Sequence, residues 1–418
     1  MSSLLITNAR LITPDGIVEG GSLYIVDGII RAISEGEPVI NKEELRKEKG
    51  ELAAPKPLQS AGQNCQLSII NCQLIDAQGQ YIAPGCIDLH VHGAAGHDFM
   101  EATPEAFDAI RHCHALHGTT SMLATLAVSP PDVIERCIDI CDRNLSRGPG
   151  AELLGLHLEG NYINPLMKGA QDPTYIVPPQ PEEYTRLLDS THSIRRWSAA
   201  PELPGALDFA RCARQHGVLV SLAHTTADYA QVLAAYDAGF THATHFYNAM
   251  TAVHKQGILK HEGTVEAVLL TDGISVEFIA DGIHVPPTLL QLAYKIKGPD
   301  RICLVTDALS LTGSTLTKAR GQAEASPSYI VEDGVCLMAD HSALAGSVAT
   351  TDRLLRTMVF DAHIPLTDAV RMASTTPARL IGVDDRKGSL TVGHDADLIF
   401  LDDTLHVTRT LIRGEELR

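Results

Sequence analysis

The chain has 418 residues, 44% hydrophobic and 20% charged, an ordinary globular composition with ample apolar material for a core. Its formal net charge of −18 argues against a nucleic-acid or anionic-membrane partner, although a local pocket for a small anion is compatible with an acidic protein. No run approaches the roughly 18 apolar residues a membrane helix needs. The nine cysteines are scattered without a Cys-x-x-Cys pair and read as reduced thiols of a cytoplasmic protein.

In chain order, residues 4–33 alternate short apolar runs with turn signals, Asp15-Gly16 and Asp27-Gly28 among them, and predict a small antiparallel β unit. Residues 34–65, with the charged run 42–49 and then Pro55, Pro57 and Gly62, read as a polar insertion that can carry one short exposed helix. Strands are expected again at 67–70 and 73–76. Short-strand patterns return near the end, at 396–401 and 407–414. The two β-rich ends are therefore expected to form one satellite domain, residues 1–83 and 382–418, around a central block at 84–381.

The central block opens on Pro84-Gly85-Cys86-Ile87-Asp88-Leu89-His90-Val91-His92-Gly93, an apolar run between glycines that predicts a buried strand. Residues two apart on a strand share a side, so His90 and His92 project together. Thr103-Pro104 predicts a helix start with a threonine cap, and Gly118 its stop. Further strands are expected at 119–126, 153–159, 194–199, 218–224, 241–246, 276–280 and 302–305, most followed by a helical stretch. Eight near-continuous apolar strands alternating with helices predict an α/β fold, a (β/α)8 TIM barrel.

Active sites of this barrel lie at the C-terminal ends of its strands. Six of the eight predicted strands carry a His, Asp or Glu there: His90 and His92, His157 and Glu159, His224, His242 and His245, Asp281 and His284, and Asp307. Imidazoles and carboxylates without thiolates favour zinc or a similar divalent metal such as iron, manganese or cobalt. Glu159, His224 and His245 are expected to bind one ion, with a position left open for water. His90 and His92 are candidates for a second ion bridged by Glu159, and Asp307 for the general acid/base.

At these residues the chain resembles the amidohydrolase superfamily, and more closely the N-acetylglucosamine-6-phosphate deacetylases. The resemblance rests on the 84–93 segment, Gly155-Leu156-His157-Leu158-Glu159-Gly160, His245-Phe246-Tyr247-Asn248-Ala249-Met250, Ala280-Asp281-Gly282-Ile283-His284 and Leu344-Ala345-Gly346-Ser347. It implies a TIM barrel with a β-sandwich built from both termini, and a homodimeric hydrolase that releases acetate and glucosamine 6-phosphate from N-acetylglucosamine 6-phosphate. Glu159, His224 and His245 match the family's metal ligands and Asp307 its catalytic aspartate; His90 and His92 match members with a second metal. Asn248, Ala249, Asp281, Gly282, Ile283, His284, Leu344, Ala345 and Gly346 match positions that hold the sugar or its phosphate.

The chain departs from the family where substrate is bound. Residues 251–260, Thr-Ala-Val-His-Lys-Gln-Gly-Ile-Leu-Lys, lack the arginine usual after Asn-Ala-Met; Lys255 is the expected replacement donor. Asn161 replaces a proline, and Ala170 is followed by Gln171 where a histidine is usual. Alternatives are a deacetylase for N-acetylgalactosamine 6-phosphate or an unphosphorylated sugar, and a non-catalytic protein on the same fold. Strand four ends Ala199-Ala200-Pro201, without the lysine of dihydroorotase-like enzymes.

Overall fold

The structure is a computed structural model that describes residues 3–36, 72–320 and 328–417. Of the predicted features, the 67–70 strand and all of the insertion beyond residue 36 lie outside those residues. Eight parallel strands stand side by side in chain order: Cys86–Val91, Thr119–Leu126, Glu152–Glu159, Ile194–Ala199, Leu219–Leu222, Phe240–Ala243, Ser275–Ile279 and Ile302–Val305. They are numbered one to eight below, and a helix follows each, from Pro104–Leu116 to Thr351–Arg356. The second strand is buried at all eight positions, as expected of a parallel strand covered on both faces. Thr103 caps the first helix by accepting from the Ala106 amide, with Pro104 in its first turn.

Strands one and eight form no continuous ladder, yet they meet. Val91 and Ala308 make a single bridge, and the Asp307 amide donates to His90 O at 2.9 Å. Thr306 Oγ1 donates to Asp88 Oδ2 at 2.6 Å across the same seam. Burial pushes the Asp88 carboxyl up to about 7 despite that bond. The seam thus brings His90, His92 and Asp307 together.

Strands five and six end at Leu222 and Ala243, short of the predicted 224 and 246. The reason is backbone geometry: His224 and His245 have φ of 45° and 27°, in the left-handed region where no strand can continue.

The terminal residues form a separate sheet. Ser3–Thr13, Gly16–Val26 and Ile29–Glu35 are antiparallel; Cys72–Asp76 and Tyr81–Pro84 run parallel to the first; Leu398–Leu401, Val407–Ile412 and Glu415–Glu416 complete it. Its own core holds Ile6, Leu11, Leu23, Ile25, Leu398 and Phe400. Gly85 separates the two sheets, where a Cβ would lie 2.1 Å from Thr120 Oγ1. The buried Lys387 ammonium joins barrel and sheet, contacting Glu152 (2.9 Å), Asp395 (3.2 Å) and Asp397. The eight cysteines among the described residues are all free, and no helix among them is long and apolar enough to cross a membrane.

A second buried lysine locks the outer helices. Lys297, last residue of helix Pro287–Lys297, donates from Nζ to the carbonyls of Val268, Thr271 and Ile274 at 2.7, 2.8 and 2.9 Å. These carbonyls lie at and beyond the end of helix Thr264–Leu270, where Val268 O and Thr271 O also accept the Thr271 and Ile274 amides. Lys297→Met keeps the aliphatic stem and removes all three donors, so it should cost about 3 kcal/mol. The check is thermal unfolding by circular dichroism; an unchanged midpoint would show that the ammonium adds nothing.

Candidate metal centre and active site

The strand ends bring five side chains, together with His90 within strand one, around one point. Glu159 ends strand three, His92 follows strand one, and His224, His245 and Asp307 each stand two residues beyond strands five, six and eight. Glu159 Oε1 lies 3.1 Å from His224 Nε2 and 3.0 Å from His245 Nε2, and these two nitrogens are 3.2 Å apart. The other oxygen, Oε2, is 3.2 Å from His92 Nε2 and 3.6 Å from His90 Nε2. Asp307 Oδ1 is 3.1 and 3.3 Å from the same two imidazoles. Two overlapping groups, Glu159–His224–His245 and His90–His92–Glu159, have the compactness needed to hold a metal ion.

The tautomers agree with that use. His224 donates its Nδ1–H to Met167 O at 2.7 Å, and His90 donates its Nδ1–H to Glu277 Oε1 at 2.7 Å. Their Nε2 lone pairs therefore face inward. Each faces a second imidazole nitrogen at 3.2 Å, His224 that of His245 and His90 that of His92, and a divalent cation fits this donor set.

The electrostatics point the same way. Burial opposes a charge on His90, but Asp307, Glu159 and Glu277 outweigh it and raise its pKa well above the usual range. His92 rises to about 9 because hydrogen bonds to Asp307 and Glu159 overcome burial. Burial alone would raise Glu159, yet the His90 charge and bonds from His224 and His245 hold it well below the carboxylate range. The pocket stabilises positive charge, in protons or in a cation.

Sequence reasoning missed the support under this cluster. Glu277 and Arg196 lie mid-strand, both fully buried, and pair through Oε2 and Nη1. Glu277 Oε1 also accepts from the His245 amide at 2.9 Å. Arg196 donates further to Thr244 Oγ1, Ser221 Oγ and Leu89 O. Burial would push Glu277 up, but the Arg196 and His90 charges hold it well below the ordinary range. The available signal was a Glu and an Arg inside otherwise apolar strands, since a buried charge needs a partner. His157 and His242 belong to this interior and not to the metal groups: His157 bonds Thr125 and Ser198, and His242 bonds Ser275.

The cluster opens into a cleft of about 490 Å³. His92, Glu159, His224, His245 and Asp307 line its floor; Ala170, Gln171, Asn248, Ala249, His284, Leu344, Ala345 and Gly346 line its walls. Asn248 Nδ2 is buried without a partner. Asp281, Gly282 and Ile283 stand behind the wall. The Asp281 carboxylate accepts from the amides of Ile283 and His284 and from His284 Nδ1, at 2.9, 2.8 and 2.8 Å, so it orients His284. Lys255 is exposed on the hairpin His254–Gln256/Leu259–His261 and does not line the cleft.

Residues 81–417 match the amidohydrolase family. The chain belongs to that family. An N-acetylgalactosamine-6-phosphate deacetylase of Escherichia coli O157:H7 is 33% identical over 408 residues, covering 97% of each chain. An N-acetylglucosamine-6-phosphate deacetylase of Bacillus subtilis is 31% identical over 99% of this chain and 96% of its own. The crystal structure of the Pasteurella multocida N-acetylglucosamine-6-phosphate deacetylase superposes with a TM-score of 0.84 at 29% identity, covering 99% of both chains. The family's barrel and its sheet of terminal strands are those described above.

In this amidohydrolase the Arg196–Glu277 pair is the testable foundation of the site. Arg196→Met leaves the Glu277 charge buried and unpaired, a loss of about 3–5 kcal/mol. Adding Glu277→Gln removes that charge and should restore part of the thermal midpoint. A double variant no more stable than the single one would show that the pair is not what holds this interior.

Proposed function

We propose that the chain hydrolyses the N-acetyl group of N-acetylglucosamine 6-phosphate, yielding acetate and glucosamine 6-phosphate. The observation that carries the reading is the convergence of Glu159, His224 and His245, with Asp307 beside them, on the floor of a cleft that admits a small molecule. The names of relatives aligned over nearly the whole chain support the amino-sugar class. We assign Glu159, His224 and His245 as the primary cation position. His90, His92 and the second oxygen of Glu159 form the secondary one, and zinc best fits the imidazole and carboxylate donors.

When bound, the cation supplies Lewis-acid polarisation of the amide carbonyl and acidifies water at that position. The chain's own groups do the rest. Asp307, against His90 and His92, takes the proton of the attacking water as the tetrahedral centre forms. It then passes that proton to the sugar nitrogen as the C–N bond breaks. The unpartnered Asn248 amide is a donor for a substrate oxygen, and His284, whose Nδ1–H is held by Asp281, presents Nε2 as an acceptor for a substrate hydroxyl. The exposed apolar residues Ile258 and Leu259 on the hairpin support a homodimer, which sedimentation tests. The free cysteines support a cytoplasmic setting.

The galactosamine epimer is a second reading, favoured by the name of the Escherichia coli relative. The phosphate is the sharper question, because no Lys or Arg among the described residues lines the cleft. Lys255 remains the proposed donor, acting from the exposed hairpin. Acetate release should show higher kcat/KM for the 6-phosphate than for the free sugar, and Lys255→Ala should raise KM for the phosphorylated substrate alone. Equal kcat/KM for the two sugars would replace this reading with an unphosphorylated N-acetyl substrate.

Asp307→Asn should retain the primary metal and lose about 10²- to 10⁴-fold in turnover, because an amide cannot accept the proton. Glu159→Ala should lose the metal itself. Elemental analysis beside kinetics separates the two; near-normal turnover in metal-replete Asp307→Asn would remove the residue from the mechanism.

A further inference from the structure

Gln171 lines the cleft, yet its amide is already engaged. Nε2 donates to Glu159 Oε2 at 2.8 Å, while Oε1 accepts the Val128 amide at 2.9 Å. That second bond fixes the orientation: a flipped amide would set two oxygens against each other at Glu159 and two N–H groups against each other at Val128. The loop itself is tied down, with the Gln171 backbone N–H donating to Lys168 O at 2.9 Å. A buried donor thus points at one particular oxygen of the metal-site carboxylate.

The two oxygens of Glu159 serve different positions. Oε1 faces His224 and His245; Oε2 faces His90 and His92. Gln171 touches only Oε2. A hydrogen bond there occupies a lone pair and draws electron density from the oxygen that a secondary cation would share. It leaves Oε1 to the primary position. We propose that Gln171 is a positioning residue that orients Glu159 and weakens the secondary cation position relative to the primary one. The inference rests on the two-position reading above and adds the residue that sets their balance.

The prediction follows from removing the donor. Gln171→Met keeps similar length without an N–H; Gln171→Asn keeps the amide but withdraws it by one methylene. Metal-free protein would be titrated with zinc alone at fixed pH by calorimetry, with folding checked by circular dichroism. In the parent the second equivalent should bind more weakly than the first. In either variant the second affinity should tighten about tenfold, the scale of outer-shell effects on metal sites, while the first moves by less than about threefold. Affinities that move together, stay unchanged or loosen at the second position overturn the assignment of Gln171 and leave the primary site standing. A parent protein that takes up no zinc overturns both readings.

Discussion

One buried carboxylate organises the upper barrel. Glu277 lies inside strand seven with no solvent contact, and its two oxygens meet Arg196, the Nδ1–H of His90 and the backbone amide of His245. A lone ionised carboxylate in that position would be prohibitive. The guanidinium makes it tolerable, and the remaining Arg196 donors are spent on Thr244, Ser221 and Leu89 O. Glu277 therefore reaches both metal groups at once, through a side chain of one and the main chain of the other. Moving either group breaks hydrogen bonds of this buried network, and such networks resist partial rearrangement.

The groups above this network stand on bent backbone. His224, His245 and Asp307 have φ of 45°, 27° and 48°, conformations that cost non-glycine residues roughly 1–3 kcal/mol. The bends turn each chain inward as it leaves its strand. Further bonds hold them: Asn164 donates its amide to His224 O, and Glu202 accepts from Thr225 and Thr226 just beyond it. The barrel supplies the rigidity, and the turns supply the aim.

Much of this was readable from residue order. Histidines and carboxylates at the ends of apolar runs identify a site because the barrel collects strand ends on one face, and His92, Glu159, His224, His245 and Asp307 do meet there. The same logic overreached at His157 and His242, whose side chains satisfy neighbours within the barrel. Glu277 and Arg196 were missed because a mid-strand charge shows its partner only when strands four and seven enclose one interior. Lys255, the donor expected after Asn248, stands on an exposed hairpin that residue order alone does not reveal. Gln171 stood out as a departure from the family, but its amide meets Glu159 and Val128 only once the chain is folded.

The sheet outside the barrel takes its strands from both ends of the chain. Tyr81–Pro84 sits between Ser3–Thr13 on one side and Leu398–Leu401 on the other. During synthesis, the amino-terminal strands leave the ribosome with one edge unpaired, and that edge stays open while the entire barrel is translated. Only when residues 398–416 emerge can the sheet be completed. Residues 398–416 thus close a sheet begun more than 300 residues earlier, and a chain halted before them carries an exposed strand edge, the kind that pairs with other chains.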